Sequence, residues 1–436
     1  MKKFGLMFCT IILSAVLIFG GCAEKPLEQV PNNAIIVGNG GTSVVIGDYI
    51  YYANNFETSL TADIVEGKKT GLLNRIKTIN GKIETKETNP QNIENVNKVF
   101  VGYGATNMFI SGRKLFFTTP NTLKTDKGET AYDRVCIYKT DLNGNNLTKM
   151  YTAEGNLAKV YFTTVNGKDY AIVKDDKKLS RIELSNFKTV QISDKCAEIV
   201  FEQNSNYLFF TTARTDKNTG NILNKYEIST NLSAIKSEVI GKTIVLISQS
   251  HDELFYSEGT QTNSSNFEDN QPQKHISATT ITNPTWLGKN RYNEKLQVAF
   301  IFETNLYFKP YTLSQIENDY KIPTTECGTP TNIIFEDGTW VYFITNSGLW
   351  RVRVGTADDN GKNFVIEQIT AKTITNVNNI DFNGDHAYFF AKVEKDSTNA
   401  EYMHRVCVNR TSQALKQTEL IACLSKESTE SIEKSK

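Results

Sequence analysis

The sequence has few of the residues that build metal sites and disulfide scaffolds. Its 436 residues include 4 histidines and 7 cysteines. The cysteines are widely spaced, with no Cys-x-x-Cys pair and no cluster of cysteines and histidines, so neither a zinc site nor a disulfide-dense fold is indicated. We therefore expect no metal and no cofactor. Buried thiols are favoured for Cys136 and Cys407, which lie in alternating apolar stretches, although one disulfide remains open.

The chain also lacks an excess of charge of either sign. Lys and Arg number 48, as do Asp and Glu, and 39% of the residues are hydrophobic. This balance excludes the basic footprint of a nucleic-acid-binding protein. The hydrophobic fraction is that of a globular protein with a core and not that of a disordered chain.

Sequence motifs of the common enzyme classes are missing. The chain has no His-Glu-x-x-His, no Gly-x-Ser-x-Gly and no phosphate-binding Gly-x-x-x-x-Gly-Lys sequence. His251 and His386 fall in predicted turns, where a structural role is favoured, and His275 and His404 are isolated in sequence. Helical periodicity is confined to one short candidate at residues 313–320, which disfavours the two-lobed α/β solute-binding proteins.

The one long apolar run lies at the N-terminus. Lys2 and Lys3 precede an apolar stretch over residues 4–19, which is short for a membrane span and typical of a signal peptide. Gly20-Gly21-Cys22 then resembles a lipobox, although Phe19 stands where Leu is usual. We predict a signal peptide over 1–21, a diacylglyceryl group on Cys22 and an extracytoplasmic protein anchored to the bacterial cell membrane. An ordinary cleaved signal is the alternative.

The rest of the chain repeats one pattern, a turn residue followed by apolar and aromatic residues. The eight copies, called marks here, occupy residues 47–52, 112–117, 167–172, 206–210, 251–256, 304–308, 338–343 and 384–389. Their mean spacing of about 48 residues is that of β-propeller blades. Aromatic side chains at these positions suit sheets that pack face to face.

These repeats predict an all-β fold. The expected architecture is a β-propeller of seven or eight blades, mostly antiparallel four-stranded sheets, in a single domain over 34–424. A polar tether over 22–33 would precede it, and a charged, flexible tail over 425–436 would follow it. Pairing of residues 34–37 with the last blade is one way to close the ring. A β-solenoid or two smaller β domains is the structural alternative.

One stretch resembles a known repeat family. Ile137-Tyr138-Lys139 followed by Leu142-Asn143-Gly144 is similar to the low-density-lipoprotein-receptor-related type of propeller repeat, a domain of unknown function found in lipoproteins of Clostridium-like bacteria. The strands at 179–184 and 349–354 keep part of this pattern without the Asn-Gly turn. The resemblance implies a propeller and carries no catalytic motif.

Candidate ligand-binding residues are few. Asp141-Leu142-Asn143-Gly144-Asn145 spaces oxygen atoms as a calcium loop does, but a hairpin turn is favoured because the distant bidentate carboxylate is missing, and residues 381–385 are interpreted as a turn in the same way. Trp286, Trp340 and Trp350 could stack on sugars, but packing between blades is favoured.

These observations favour a cell-envelope binding or scaffold protein with a peptide, glycan or envelope-protein ligand. An enzyme is less favoured. The alternatives are a carbohydrate-active enzyme with paired carboxylates at the channel mouth and an accessory subunit of an envelope assembly.

Overall fold

The computed structural model describes residues 29–54, 72–79, 82–83, 91–92, 107–124, 130–154, 158–203, 205–213, 220–229, 235–240, 244–266, 273–289, 296–313, 315–337, 339–353, 364–394, 401–408 and 419–423. These residues form 33 strands and one turn of 3₁₀ helix at Asn318–Tyr320, inside the predicted helical stretch 313–320. No helix in these ranges is long and apolar enough to cross a membrane.

The first four antiparallel sheets, numbered here as blades in chain order, cover the first half of the chain. Blade 1 has β1 (Ile36–Val37), β2 (Ser43–Ile46), β3 (Tyr49–Asn54), β4 (Leu72–Ile79), β5 (Lys82–Ile83) and β6 (Gln91–Asn92). Blade 2 has β7 (Met108–Ser111), β8 (Lys114–Lys124), β9 (Thr130–Asp141) and β10 (Thr148–Thr152). Blade 3 has β11 (Lys159–Val165), β12 (Lys168–Asp175), β13 (Lys178–Glu183) and β14 (Thr189–Ser193). Blade 4 has β15 (Cys196–Val200), β16 (Tyr207–Ala213), β17 (Asn221–Glu227) and β18 (Ile235–Ile240).

Four further sheets complete the set. Blade 5 has β19 (Ile244–Ser250), β20 (Glu253–Glu258), β21 (Gln261–Ser265) and β22 (Lys274–Ser277). Blade 6 has three described strands, β23 (Thr282–Lys289), β24 (Leu296–Phe302) and β25 (Asn305–Pro310). Blade 7 has β26 (Pro330–Glu336), β27 (Trp340–Thr345), β28 (Gly348–Arg353) and β29 (Ile366–Gln368). Blade 8 has β30 (Ile374–Asn383), β31 (His386–Val393), β32 (Glu401–Cys407) and β33 (Glu419–Cys423). The prediction of an all-β propeller of seven or eight blades is therefore confirmed, and the number of blades is eight.

Apolar side chains fill the gaps between neighbouring blades. Tyr51 of blade 1 belongs to the same buried cluster as Phe117 of blade 2. Phe109 of blade 2 stacks on Phe162 of blade 3, with ring centroids 5.5 Å apart. Since strand residues alternate between the two sheet faces, each blade presents one apolar face to each neighbour. Burial of both faces is what holds the ring together.

The ring closes between blade 8 and blade 1. Oδ2 of Asp381 in β30 accepts hydrogen bonds from the backbone N–H and the hydroxyl of Thr42 and from the N–H of Ser43. The amide group of Asn383 and the Ser43 hydroxyl share a hydrogen bond of 2.8 Å. An apolar cluster that includes Tyr52 and Phe390 fills the same seam.

Two details differ from the sequence predictions. Strand β1 pairs with β2 inside blade 1, so residues 34–37 do not complete the last blade. The mark at 304–308 lies on the third strand of blade 6, whereas the other seven marks lie on second strands. Here the strands of blade 1 are counted from β2, because β1 is an extra strand on its inner edge. The reason is the hairpin between β24 and β25, in which Glu303 and Thr304 adopt left-handed φ angles of 45° and 68° and imitate the turn of the other repeats.

A repeated basic side chain ties consecutive blades together. In blade 7, Arg351 on the third strand lies over the Trp340 ring, 4.0 Å from its centroid, and donates a hydrogen bond of 2.8 Å to the carbonyl oxygen of Val408 in blade 8. Third-strand cations make the same two contacts in three other blades, where the pairs of cation and acceptor are Arg75 with Leu142, Arg181 with Ile228 and Lys225 with Asn266. We call these contacts cation staples.

Candidate functional site

A cavity of about 620 Å³ opens at one mouth of the central channel. Its walls come from blades 1, 4, 5, 6, 7 and 8, at the end where the innermost strands finish and turn into the second strands. The lining residues are Ile36, Gly38, Asn39, Glu202, Gln203, Gln249, Ser250, His251, Thr285, Ile334, Ile380, Asp381 and Phe382. The volume is that of small-molecule and peptide side-chain sites.

A short glycine-rich segment, residues 38–41 with the sequence Gly-Asn-Gly-Gly, crosses the channel and is called the channel segment here. The N–H of Gly40 donates to the Met108 carbonyl, and the Gly41 carbonyl accepts from the Met108 N–H, which extends the inner edge of blade 2. The Asn39 side chain pairs with the backbone of Ile110 in the same blade. Gly38, Gly40 and Gly41 can pass this close to the cavity walls because they carry no side chains.

The channel segment touches opposite sides of the ring. A Cβ atom on Gly40 would lie 2.2 Å from Nε2 of Gln203 in blade 4, and one on Gly41 would lie 2.2 Å from Oδ1 of Asp381 in blade 8. Because neighbouring Cα atoms are about 3.8 Å apart, Gln203 and Asp381 approach the same point of the channel from opposite blades. The cavity is therefore a site assembled by distant parts of the chain.

Asp381 is the first of two carboxylates at the cavity. All three donors to its Oδ2 atom, on Thr42 and Ser43, are neutral. Burial raises the pKa of this carboxyl to about 6, and the hydrogen bonds from Thr42 and Ser43 offset only part of that effect. At neutral pH, Asp381 is therefore within about one pH unit of its pKa.

Glu202 is the second carboxylate. It follows strand β15, and its Oε2 atom accepts a long hydrogen bond of 3.4 Å from the N–H of Asp252. Burial raises the pKa of Glu202, against the lowering effect of the His251 and Asp252 backbone N–H groups. His251 and Asp252 both have left-handed φ angles, 50° and 61°, as the tight turn between β19 and β20 requires.

The polar wall between these carboxylates is held by blade-to-blade hydrogen bonds. Nε2 of Gln249 donates to Oγ of Ser205 over 2.8 Å, and Oε1 of Gln249 accepts from the N–H of Glu202. Ser205 also donates to Oδ1 of Asp252. The site therefore combines fixed amide and hydroxyl groups with two carboxylates, and among the described residues no lysine or arginine lines it.

The structure places the candidates from the sequence elsewhere. Cys22, the predicted lipid attachment site, lies outside the described residues, as do the predicted signal peptide and the tail over 425–436. Trp286 is buried between blades, while Trp340 and Trp350 are half-buried in packing contacts. None of the three lines the cavity.

The histidines and cysteines do not form a cluster. His251 occupies the predicted turn and lines the cavity, while His386 begins strand β31 instead of preceding it. Among the described residues, no disulfide involves Cys136, Cys196, Cys327 or Cys407. In the described part of the chain, no group of three or more His, Cys, Asp or Glu side chains could hold a metal ion.

The Asp-Asn-Gly stretches behave differently from each other. Residues 141–145 form the hairpin turn between β9 and β10, and the Asn143 side chain accepts a hydrogen bond of 2.8 Å from Arg75. Asp381 is not part of a turn, which corrects the interpretation of residues 381–385: β30 continues to Asn383, and only Gly384 and Asp385 turn. Sequence analysis missed Asp381 and Glu202 because a channel site carries no local motif.

Comparison with known proteins supports the fold. No protein-family profile matches the sequence, and no curated protein is significantly similar to it. Among solved structures, a eukaryotic initiation factor matches with 10% identity and a TM-score of 0.50 over 94% of this chain and 93% of that chain. The β-propeller domain of the Trilobed protease from Pyrococcus furiosus matches with 7% identity and a TM-score of 0.41, over 73% of this chain and 98% of that one.

A puromycin-hydrolyzing peptidase from Mycobacterium tuberculosis matches over 73% of this chain, with 10% identity and a TM-score of 0.43. The match covers 52% of the peptidase, so the chain spans about half of its length. At such identities the likeness concerns the fold alone. The chain is a β-propeller similar to domains found in proteins of different activities.

Proposed function

We propose that the protein is a cell-envelope lipoprotein whose propeller binds a ligand without catalysis, at the channel-mouth cavity. The cavity carries this proposal, because it joins side chains from six blades in one concave polar site. Sites of this form, with a few fixed polar groups in a preformed hollow, are typical of ligand binding. A peptide, a glycan or a segment of another envelope protein would be the ligand.

The path of the chain before blade 1 supports a role close to the membrane. Arg113, in the hairpin between the first two strands of blade 2, donates hydrogen bonds to the carbonyl groups of Val30 and Pro31. The Ile35 carbonyl accepts from Gly47, in the equivalent hairpin of blade 1. Residues 30–35 therefore lie on the face that carries the cavity, since His251 belongs to the same class of hairpin in blade 5.

A lipid on Cys22 would then orient the propeller. Val30 lies eight positions after Cys22, and a stretch of that length spans at most about 28 Å. The cavity-bearing face would be held within that distance of the bilayer surface and turned toward it. Ligands near the membrane, such as the juxtamembrane part of an envelope protein, would have direct access.

Membrane attachment is tested by expressing the full chain and a Cys22→Ala variant in a bacterial host. We expect mass spectrometry to find a diacylglyceryl group on the N-terminal fragment of the mature protein and membrane fractionation to retain it. The variant should be absent from the membrane fraction. A soluble, unmodified wild-type protein would contradict the anchor.

Ligand binding is tested with residues 23–436 on peptide and glycan arrays. Gln203 is exposed at the cavity wall, so a Gln203→Trp variant should fill the cavity and leave the core intact. We expect array binding to be lost in this variant and kept in Asp176→Asn, a change in an exposed turn between β12 and β13. Equal binding by wild type and Gln203→Trp would place the site elsewhere.

A carbohydrate-active enzyme is the second candidate, and the two carboxylates at the channel mouth favour it. A carboxyl group with a pKa of about 6, as for Asp381, has the property of a general acid. Hydrolysis of chromogenic glycosides that Glu202→Gln and Asp381→Asn both abolish would support this candidate over simple binding.

The observations give less support to an accessory subunit that docks through an apolar rim. The large apolar side chains that are most exposed among the described residues, Ile35, Val245 and Val365, lie on separate parts of the ring and form no common patch.

A further inference from the structure

The charged side chains that line the channel-mouth cavity are carboxylates. Its lining includes the carboxylates of Glu202 and Asp381, neutral amides and hydroxyls, and one imidazole, that of His251. Among the described residues no ion pair includes Glu202 or Asp381. Both residues are half-buried. A carboxylate shielded from water is normally paired with a cation, because desolvation is otherwise expensive.

The protein holds cations in buried positions elsewhere, which makes the cavity unusual. The partly buried Lys274 pairs with Glu253 at 2.7 Å, and the buried Arg351 pairs with the partly exposed Glu367 at 2.7 Å. The donors to Asp381 and Glu202, in contrast, are backbone N–H groups and a threonine hydroxyl. Neutral donors therefore stabilise the two carboxylates, but no ion pair among the described residues compensates their charge.

We propose that this cavity binds a primary ammonium group on an aliphatic stem, as in a lysine side chain of a peptide. Glu202 and Asp381 would accept the charge, and Gln203 and Gln249 would contact the peptide backbone or the remaining ammonium protons. Ile334, Ile380 and Phe382 provide an apolar wall for the stem. The inference rests on the proposed function, in which this cavity is the binding site.

The chemistry also argues against other ligand classes. An anionic ligand would face two carboxylates with no lysine or arginine to balance it. A divalent metal would need at least three suitable ligands, and no such group exists among the described residues. A neutral sugar would leave the charges uncompensated, and neither tyrosine nor tryptophan lines the cavity for stacking.

The pH dependence follows from the groups that face each carboxylate. Glu202 is faced by His251 and Asp252, and Asp381 by the hydroxyl and N–H groups of Thr42 and Ser43. An ammonium ligand stays charged below pH 8, while protonation of Asp381 near pH 6 removes its partner. Affinity should therefore fall as the pH is lowered from 7.5 to 5.

Calorimetry with residues 23–436 tests the inference, with trilysine as the probe and its Nε-acetylated form and maltotriose as controls. We expect trilysine to bind at pH 7.5 and the acetylated peptide and maltotriose to bind at least tenfold more weakly. Glu202→Gln and Asp381→Asn should each weaken trilysine binding about tenfold, and Asp176→Asn should leave it unchanged. Lowering the pH to 5 should weaken wild-type binding about tenfold and the Asp381→Asn variant much less.

The controls separate two kinds of failure. If maltotriose or acetylated trilysine binds as well as trilysine, and Gln203→Trp abolishes that binding, the cavity is the site but the charge argument is overturned. If trilysine binds but neither Gln203→Trp nor the carboxylate variants affect it, the cavity is not the site, and the proposed function fails with the inference. Thermal unfolding of each variant establishes that it is folded, and either carboxylate variant alone suffices for the test.

Discussion

Arg351 of blade 7 donates a hydrogen bond of 2.8 Å to the carbonyl oxygen of Val408 in blade 8 while its guanidinium lies on the Trp340 ring. The same side chain pairs with Glu367 of its own blade. One residue thus satisfies a backbone acceptor across the blade boundary and fixes the outer strand β29. The hydrogen bond between Arg351 and Val408 should stabilise the fold more than a surface ion pair does, because both of its partners are buried.

Replacement of Arg351 by Met should remove the staple and keep the aliphatic stem. We expect a loss of about 2 to 3 kcal/mol in the free energy of unfolding, because the buried Val408 carbonyl and the partly exposed Glu367 carboxylate both lose their donor. Urea unfolding measures this change. Arg353→Met, two residues later on the exposed side of the same strand, is the control and should stay within about 0.5 kcal/mol. Equal effects of both variants would show that the staple adds no stability.

Asp381→Asn should stabilise the protein at neutral pH, although it removes a charged group from the seam. The folded-state pKa of Asp381 is raised to about 6, above its unfolded value near 3.9. The folded chain therefore binds a proton that the unfolded chain has lost, and stability falls as the pH rises from 4 to 6. We expect the stability of the variant to depend less on pH in this range. At pH 7.5 its free energy of unfolding should exceed that of wild type by about 1 to 2 kcal/mol, a figure reduced for solvent screening.

Thermal unfolding of wild type and Asp381→Asn between pH 4 and 8 measures this difference. If the variant is less stable than wild type at pH 7.5, the hydrogen bonds from Thr42 and Ser43 require the full charge, and the carboxylate is a stabilising group at the seam.

His404 should have the opposite effect on the acid side. Burial lowers its pKa to about 4, and its ring stacks on Phe389 with centroids 5.7 Å apart. Between pH 6.5 and 4 the unfolded chain binds a proton that the folded chain does not, so stability falls as the pH is lowered. His404→Phe should remove this loss. His275→Phe, at an exposed site in β22, serves as the control and should leave the profile unchanged; no difference between the two variants would show that His404 titrates normally.

Gly41→Ala should disturb the seam although its backbone is not in the left-handed region. The added Cβ would lie 2.2 Å from Oδ1 and 2.4 Å from Cγ of Asp381, which three donors hold in place. We expect a loss of about 2 kcal/mol or more. Gly167→Ala adds a methyl group to open space at a φ of 72° and should lose about 1 kcal/mol from backbone strain alone. A smaller loss for Gly41→Ala than for Gly167→Ala would show that the seam adjusts freely.

Much of the architecture could be predicted because each blade repeats one local pattern. The marks located the second strands of seven blades, and alternation predicted their neighbours. Blade 6 misled the prediction, since its Glu303-Thr304 hairpin resembles the turn of a mark although it joins the second and third strands. The resemblance to propeller repeats rested on Ile137-Tyr138-Lys139 and Leu142-Asn143-Gly144. Leu142 of this stretch supplies the carbonyl that accepts the hydrogen bond of the Arg75 staple.

The candidate site could not be predicted in the same way. Gly41, Glu202 and Asp381 are far apart in the sequence and meet only because the ring brings the ends of the innermost strands to one axis. Asp381 was further hidden by the Asn383-Gly384 pair, which led to a predicted turn from residue 381, three residues before the observed turn begins at Gly384. Three of the four staple cations, Arg181, Lys225 and Arg351, stand three residues before an apolar residue, whereas Arg75 precedes Thr78. Only the structure shows what these cations contact.

Every described blade is made from one uninterrupted stretch of chain, so the seam between blades 8 and 1 is a contact between sheets like the seven others. Which two blades contain the chain termini is therefore set by the connections between blades and not by how the sheets pack. A circular permutant that begins at blade 5, with blades 8 and 1 joined by a flexible linker, should fold into the same ring. In such a protein residues 30–35 would become part of an internal loop, and the order of synthesis of the blades could be changed independently of the order in which they pack.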